Sequence, residues 1–324
     1  MNHFSTIVTG AAGFIGRNLV AELNARGEND LLLVDELGSS EKWKNLIGLQ
    51  YEDIWEPETL REAIRDEVQP GAVKAVIHLG ACSATTETDA DYLLDNNYRT
   101  TRDLCEWCLE NNVRFVYASS AATYGNGEKG YSDADGVTPT LGPLNMYGYS
   151  KHMFDLWALK NGLANRIAGL KYFNVYGPWE QHKGDMRSVV HKAFEQIRDT
   201  GKVNLFRSHR PGYEDGKQLR DFVYVRDAVD LTLWLARNDA PSGIFNCGTG
   251  QARSWLDLVN AVYAAMEREP DISFIDMPAH LREKYQYFTQ AEMGKIREAG
   301  YTHSFTRLED GVRETVRHLI AQAG

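Results

Sequence analysis

A tyrosine and a lysine four residues apart, Tyr147 and Lys151 in Tyr147-Gly148-Tyr149-Ser150-Lys151, carry the most distinctive chemistry in this 324-residue chain. At the start of a helix, positions i and i+4 face the same way. An ammonium beside a phenol favours the phenolate and brings the tyrosine toward the range of a general base. Upstream, a strand pattern over 115–119 runs into Ser119-Ser120-Ala121-Ala122-Thr123. Ser120, at the carboxyl edge of that strand, is placed to hydrogen-bond a reacting hydroxyl. Tyr-x-x-x-Lys alone is common by chance. The serine-bearing strand end and a glycine loop far upstream make the combination specific.

That loop is Gly10-Ala11-Ala12-Gly13-Phe14-Ile15-Gly16, after the apolar run Thr6-Ile7-Val8-Thr9 and before a helical pattern. Glycines permit the tight turn and let the backbone approach a pyrophosphate, while a helix N-terminus offers unsatisfied N–H groups to the anion. Strand before and helix after are the context such a motif requires. The next strand ends in Asp35, 19 residues after Gly16, where an acid grips an adenosine ribose. Glu36 follows, and a second carboxylate there repels a 2′-phosphate. Lys42 offsets that charge, so NAD and NADP both stay open.

These groups need a scaffold that brings strand ends together. Strand patterns at 6–9, 31–34, 73–78, 115–119 and 167–172 alternate with helical patterns at 18–26, 57–67, 98–110 and 151–162. This alternation predicts an α/β fold with a doubly wound parallel sheet, the Rossmann arrangement. The character changes after Asn174, with loops at 177–185 and 208–216 and helical patterns at 255–267, 291–299 and 308–321. The expected organisation is a dinucleotide-binding domain over 1–174, rejoined by about 221–250. A smaller, mainly helical substrate lobe is expected from 175–220 and 251–324.

Composition narrows the class. A net charge of -10 argues against nucleic-acid and anionic-membrane binding. No apolar run approaches the roughly 20 residues of a membrane span, and the stretch 1–8 has no charged leader pattern. Four cysteines are too few for a disulfide scaffold, so a soluble cytoplasmic protein is expected. Cys105 and Cys108 fall on the inner face of an amphipathic helix and read as packing residues. With no second pair and no histidine spacing to complete a site, no metal is expected.

The glycine loop, Ser120, Tyr147 and Lys151 resemble the extended short-chain dehydrogenases/reductases, the NAD-dependent epimerase/dehydratase family. Further segments resemble its ADP-heptose 6-epimerases: His78-Leu79-Gly80-Ala81-Cys82-Ser83, Asp95-Asn96-Asn97-Tyr98, Tyr172-Phe173-Asn174-Val175-Tyr176-Gly177-Pro178, His182-Lys183-Gly184, Arg220-Asp221-Phe222 and Tyr285-Gln286-Tyr287. The likeness spans nearly the whole chain. It implies Phe14 and Ile15 at the pyrophosphate, Asp35, Glu36 and Lys42 around the adenosine ribose, and Leu79, Gly80, Ala81, Cys82 and Ser83 along the cofactor's middle. It also implies Asn96 on the nicotinamide side, with Lys151, Val175 and Lys183 as further cofactor contacts. Asn174, Asp185, Phe206 and Tyr285 would meet substrate, and Arg220 its diphosphate.

The implied reaction inverts C6 of an ADP-heptose through a ketone, using NADP or NAD held tightly and recycled. Tyr147 would be one proton-transfer group and Lys183 the second. The implied setting is a cytoplasmic homo-oligomer, a pentamer, in lipopolysaccharide inner-core biosynthesis. Departures from the family pattern are Glu36 in place of an asparagine, Asp185 in place of a serine, and a longer 208–218 loop. The alternatives are a UDP-hexose 4-epimerase, a 4,6-dehydratase and a non-catalytic dinucleotide-binding regulator. Against the dehydratase, Ala121-Ala122 stands where that class carries an acid pair.

Overall fold

The computed structural model describes residues 4–66, 72–282 and 285–323. Residues 1–3 of the N-terminal stretch, and Glu67 at the expected end of a helix, lie outside them. Six strands of one sheet follow in chain order: β1 (Thr6–Thr9), β2 (Leu31–Val34), β3 (Asp53–Trp55), β4 (Ala75–His78), β5 (Arg114–Ser120) and β6 (Ala168–Tyr172). Three more, β7 (Asn174–Tyr176), β8 (Val203–Phe206) and β9 (Leu219–Tyr224), lie elsewhere, and β10 (Gly243–Cys247) returns to the first sheet.

The spatial order is β10-β6-β5-β4-β1-β2-β3, with every neighbouring pair parallel. This is the doubly wound Rossmann order with a seventh strand added beyond β6. The residues of β1, β2, β4, β6 and β10 are all buried. Such burial suits a parallel sheet covered on both faces and explains their nearly continuous apolar runs. The order reverses between β1 and β4, so their carboxyl ends open a crevice there.

One buried strand residue is charged. Lys171 on β6 is fully buried, with its ammonium 2.7 Å from Asp155 and 2.8 Å from the Thr123 hydroxyl. Asp155 also accepts hydrogen bonds from Tyr117 and Ser119 of β5, each at 2.8 Å. A buried ion pair is tolerated when its remaining hydrogen-bonding positions are filled, as here. The network ties helix Met146–Lys160 to the sheet. That helix starts earlier than its apolar pattern predicts, because Asn145 caps it by accepting from the Gly148 N–H at 2.8 Å.

Short strands escaped the sequence reading. Strand β3 is three half-buried residues. With β11 (Ala252–Ser254) and β12 (Ile272–Ile275), two small sheets form, β11-β9-β7 and β12-β8. Part of the segment 221–250 returns to the main sheet and part does not. Strand β10 joins it, helix Val225–Leu235 contacts helix Phe14–Ala25, and β9 pairs with β7 and β11. The reason lies in Asp221, a buried acid on β9. It accepts from the backbone of Thr249, Gly250 and Ala291 at 2.7, 2.9 and 3.0 Å, which holds the strand against the C-terminal segment. Cys105 and Cys108 are buried in the core as expected.

Candidate active site

A cleft of about 510 Å³ opens at the carboxyl ends of β1, β4 and β5. Its floor is the glycine loop. Gly10 has φ +68°, and a Cβ added there would lie 2.7 Å from the Gly80 backbone nitrogen. A Cβ on Gly16 would overlap the Gly10 carbonyl oxygen. Helix Phe14–Ala25 begins at Gly13 with no side chain capping it, so its first N–H groups are offered to the cleft. A cradle too tight for any side chain, closed by an uncapped helix end, fits a pyrophosphate.

Gly16→Ala is therefore expected to strain the loop by about 1–3 kcal/mol and to empty the protein of dinucleotide. Mass spectrometry of the supernatant after denaturation measures this. A variant that keeps a full complement of dinucleotide would remove the loop from the site.

Asp35 is buried at the end of β2 and accepts from the Ala12 N–H at 2.7 Å and from Lys42 at 2.5 Å. Lys42 also donates to the Glu36 carbonyl at 3.2 Å, while the Glu36 side chain is exposed. Phe14, Ile15, Leu79, Gly80, Ala81, Cys82, Ser83, Val175 and Lys183 line the cleft with Ser120, Tyr147 and Lys151.

Asn96 lines a neighbouring cavity of about 250 Å³ with Asp35, Glu36 and Lys42, and with Gly80, Ala81 and Cys82, which the two cavities share. Asn96 and Asn97 lie in a π-helical turn over Leu94–Arg99. A π turn holds one extra residue and so rotates every later side chain about the helix axis. Asn97 is the buried neighbour. It donates to the Cys82 carbonyl and the Ser150 hydroxyl at 3.0 Å each and accepts from the Cys82 N–H at 2.9 Å. It thereby joins the cleft wall to the helix that carries Tyr147, a part that sequence reading passed over.

At the catalytic end, burial pushes the Tyr147 phenol up, and a hydrogen bond with Ser120 opposes it. This reverses the direction expected from the Lys151 neighbour alone, because desolvation of a phenolate is the larger effect. Burial pulls the Lys151 ammonium down to about 8, with Asp155 opposing. Lys151 is thus charged below about pH 8 and increasingly neutral above it. If the ammonium holds the phenolate's charge in the reaction, kcat should fall as pH rises through about 8. A pH–rate profile from 6.5 to 9.5 tests this, and a flat alkaline side would show that the ammonium is not needed.

Lys183 belongs to the short helical turn Gln181–Met186. Its ammonium lies 4.9 Å from the Phe14 ring centroid and 3.4 Å from Glu180. Glu180, fully buried, also accepts from Gly177 N–H at 3.2 Å and from the Ser188 N–H and hydroxyl at 2.7 Å each. This acid organises the loop, though by type it reads as a solvated loop residue. Next to Lys183, His182 also lines the cleft. Asn45 donates both to His182 Nδ1 and to the Ala12 carbonyl, at 2.9 Å each, and so joins this turn to the glycine loop. Burial lowers the His182 pKa to about 4, so the ring is neutral at pH 7 and Nδ1 can accept.

The other expected substrate residues stand outside this cleft. Arg220 is buried, 5.1 Å from the Tyr285 ring centroid. The Phe206 carbonyl accepts from Gln218 at 3.4 Å, two positions before Arg220. Asn174 is exposed on β7, opposite Phe222 of β9. Asp185 is exposed, and its carbonyl rather than its carboxylate accepts from Lys192, at 2.6 Å. A larger cavity of about 650 Å³, beside Arg17, Trp179 and His318, contains none of the expected residues. Among the described residues no cluster of His, Cys, Asp or Glu could hold a metal ion.

A glycine cradle for a pyrophosphate and a Ser–Tyr–Lys set at one end of the same cleft define a dinucleotide-dependent enzyme of sugar or alcohol redox chemistry. Residues 6–248 match the NAD dependent epimerase/dehydratase family, and the chain belongs to that family. Within it, the chain is an epimerase. It is 56% identical over 317 residues to the ADP-L-glycero-D-manno-heptose-6-epimerase of Nitratidesulfovibrio vulgaris, covering 98% of both chains. Among solved structures it is similar to the ADP-L-glycero-D-manno-heptose-6-epimerase of Helicobacter pylori, with a TM-score of 0.82 and 28% identity over 99% of this chain and 97% of that one. It is also similar to MoeE5 in complex with UDP-glucose and NAD, with a TM-score of 0.77 and 26% identity over 99% and 100% of the two chains.

Proposed function

We propose that this chain inverts C6 of ADP-D-glycero-D-manno-heptose to give ADP-L-glycero-D-manno-heptose. The observation that carries the proposal is that one cleft is lined by two separate proton-transfer candidates, Tyr147 from helix Met146–Lys160 and Lys183 from the turn Gln181–Met186. The substrate's identity is supported by relatives of that name at 56% and 47% identity along 98% of the chain.

The glycine cradle, Asp35 and Lys42 would hold the dinucleotide, NAD or NADP, which when bound supplies the acceptor and donor of the hydride. Tyr147, steadied by Ser120, takes the proton of the C6 hydroxyl, and Lys151 offsets the charge that develops on the phenol. The sugar, now a ketone, turns to present its other face. Lys183 then supplies the proton on the side away from Tyr147. Residues 1–174 and 221–250 serve the dinucleotide in this reading, and 175–220 with 251–324 serve the sugar nucleotide. Asp185, Phe206, Arg220 and Tyr285 belong to the second group, and Asn174, also read as a substrate contact, is the last residue before it.

The setting attached to this substrate is a homo-oligomer in the cytoplasm, serving lipopolysaccharide inner-core synthesis. Among the described residues no helix is long and apolar enough to cross a membrane. The direct test is to incubate the purified protein with ADP-D-glycero-D-manno-heptose and, separately, with UDP-glucose, and to follow each stereocentre by NMR. Inversion at C6 of the heptose alone is expected. Inversion at C4 of UDP-glucose with no reaction of the heptose would replace this reading by the 4-epimerase.

A further inference from the structure

Gln218 is fully buried, and its amide oxygen has no hydrogen-bond partner among the described residues. Its amide nitrogen donates to the Phe206 carbonyl at 3.4 Å. Reversing the amide would set two oxygens face to face, so the unpaired atom is an acceptor. The Trp255 N–H donates to the Gln218 carbonyl at 3.3 Å, which continues the β9 ladder by one residue. Alternate residues along a strand share a face, so Gln218 and Arg220 lie on the same side.

Arg220 is equally withdrawn from water. Its guanidinium stands over the rings of Trp255 and Tyr285, at 5.6 and 5.1 Å. It donates to the Leu219 carbonyl at 2.8 Å and to the Gln286 carbonyl, and it meets no carboxylate among the described residues. Burial lowers its pKa. A desolvated cation without a counter-ion and a buried acceptor without a donor thus share one strand face. Each is costly to keep, and native proteins seldom keep an unpaired buried polar atom without a use. Together they match a ligand that carries an anion at one point and an N–H or O–H donor nearby.

We propose that the Gln218 amide oxygen accepts a hydrogen bond from the nucleoside of the substrate, while Arg220 takes the diphosphate. The inference rests on the nucleotide-sugar reading above and deepens it. A phosphate oxygen at neutral pH has no proton to offer this acceptor. A nucleoside offers two kinds of donor, the amino group of adenine and the ribose hydroxyls. Gln218 is then a specificity residue: it favours nucleotides whose donor it can reach and leaves the others with an unpaired buried acceptor.

Calorimetric titration with ADP, IDP, 2′-deoxy-ADP and 3′-deoxy-ADP tests this on the purified protein. One analogue should bind about tenfold more weakly than ADP, the scale of one lost hydrogen bond. IDP in that role identifies the amino group, and a deoxy analogue identifies a ribose hydroxyl. Gln218→Met keeps the chain length and removes the acceptor. It should bind ADP about tenfold more weakly and no longer discriminate against that analogue. Its thermal midpoint without nucleotide should move little, since the unpaired buried acceptor is removed together with the long 3.4 Å bond to the Phe206 carbonyl. A glutamine with a structural role alone would give a lower midpoint and unchanged ADP affinity, which overturns the proposal. Equal binding of all four nucleotides by the wild type also overturns it and leaves the epimerase reading intact. A wild type that binds none of them overturns the nucleotide-sugar reading and this proposal together.

Discussion

Tyr147→Phe is expected to lower kcat by about 10³, within the range for a lost general acid or base. The variant removes one hydroxyl. The ring still packs where Tyr147 stood, Lys151 remains one turn away, and the glycine cradle is untouched. Dinucleotide content should therefore match the wild type, and the thermal midpoint should move little. The Tyr147 phenol is held up by burial, and the Ser120 hydrogen bond opposes that shift. Ser120→Ala should accordingly reduce activity as well, by less than the loss of the phenol itself. Steady-state kinetics beside mass spectrometry of the bound dinucleotide would decide. A Tyr147→Phe enzyme that keeps most of its kcat and its dinucleotide has some other base.

Lys183→Met has the next largest expected effect, a fall in kcat of about 10² or more. Methionine keeps the unbranched stem beside Phe14 and deletes the ammonium. The loop should survive, because Glu180 retains its bonds from Gly177 and Ser188. The sign of the effect on each half-reaction is informative. If Lys183 serves only one face of the sugar, the two epimers should differ in how strongly the variant affects proton transfer, and solvent-deuterium incorporation run in both directions measures that. A variant that epimerises at the wild-type rate would reduce Lys183 to a cofactor contact, and the proposed mechanism would need another donor.

The sequence announced the parts of this molecule that are local. Tyr147 and Lys151 share a helix face at four residues' separation, and Gly10 to Gly16 form a contiguous turn, so both were legible from spacing. The long buried strands were legible as apolar runs. Strands β3 and β11 are three residues each and partly polar, too short for any period to show. The π turn over Leu94–Arg99 was not legible either, because one extra residue in a helical turn leaves no mark on composition or spacing. Glu180 was illegible for a different reason: its burial exists only once the loop has closed around it. The direction of the Tyr147 shift depended on desolvation, which no spacing reveals.

The anchoring of Asp155 to Lys171 bears on how one enzyme can read both hands of a sugar. Asp155 lies about two helical turns beyond Tyr147 and is fastened to β5 and β6 by bonds of 2.7–2.8 Å. The helix that carries Tyr147 is thereby bonded to the sheet, so in the proposed reaction Tyr147 and Lys151 would hold their place whichever C6 epimer is bound. Inversion then falls to the ligand, which must pivot inside a stationary frame while its nucleotide end stays tethered. Such an enzyme works as a fixed jaw around a swivelling bond. Its fidelity depends on how far the ketone can swivel before it escapes, so grip on the nucleotide, more than motion of the protein, should set the proportion of turnovers that end in released ketone.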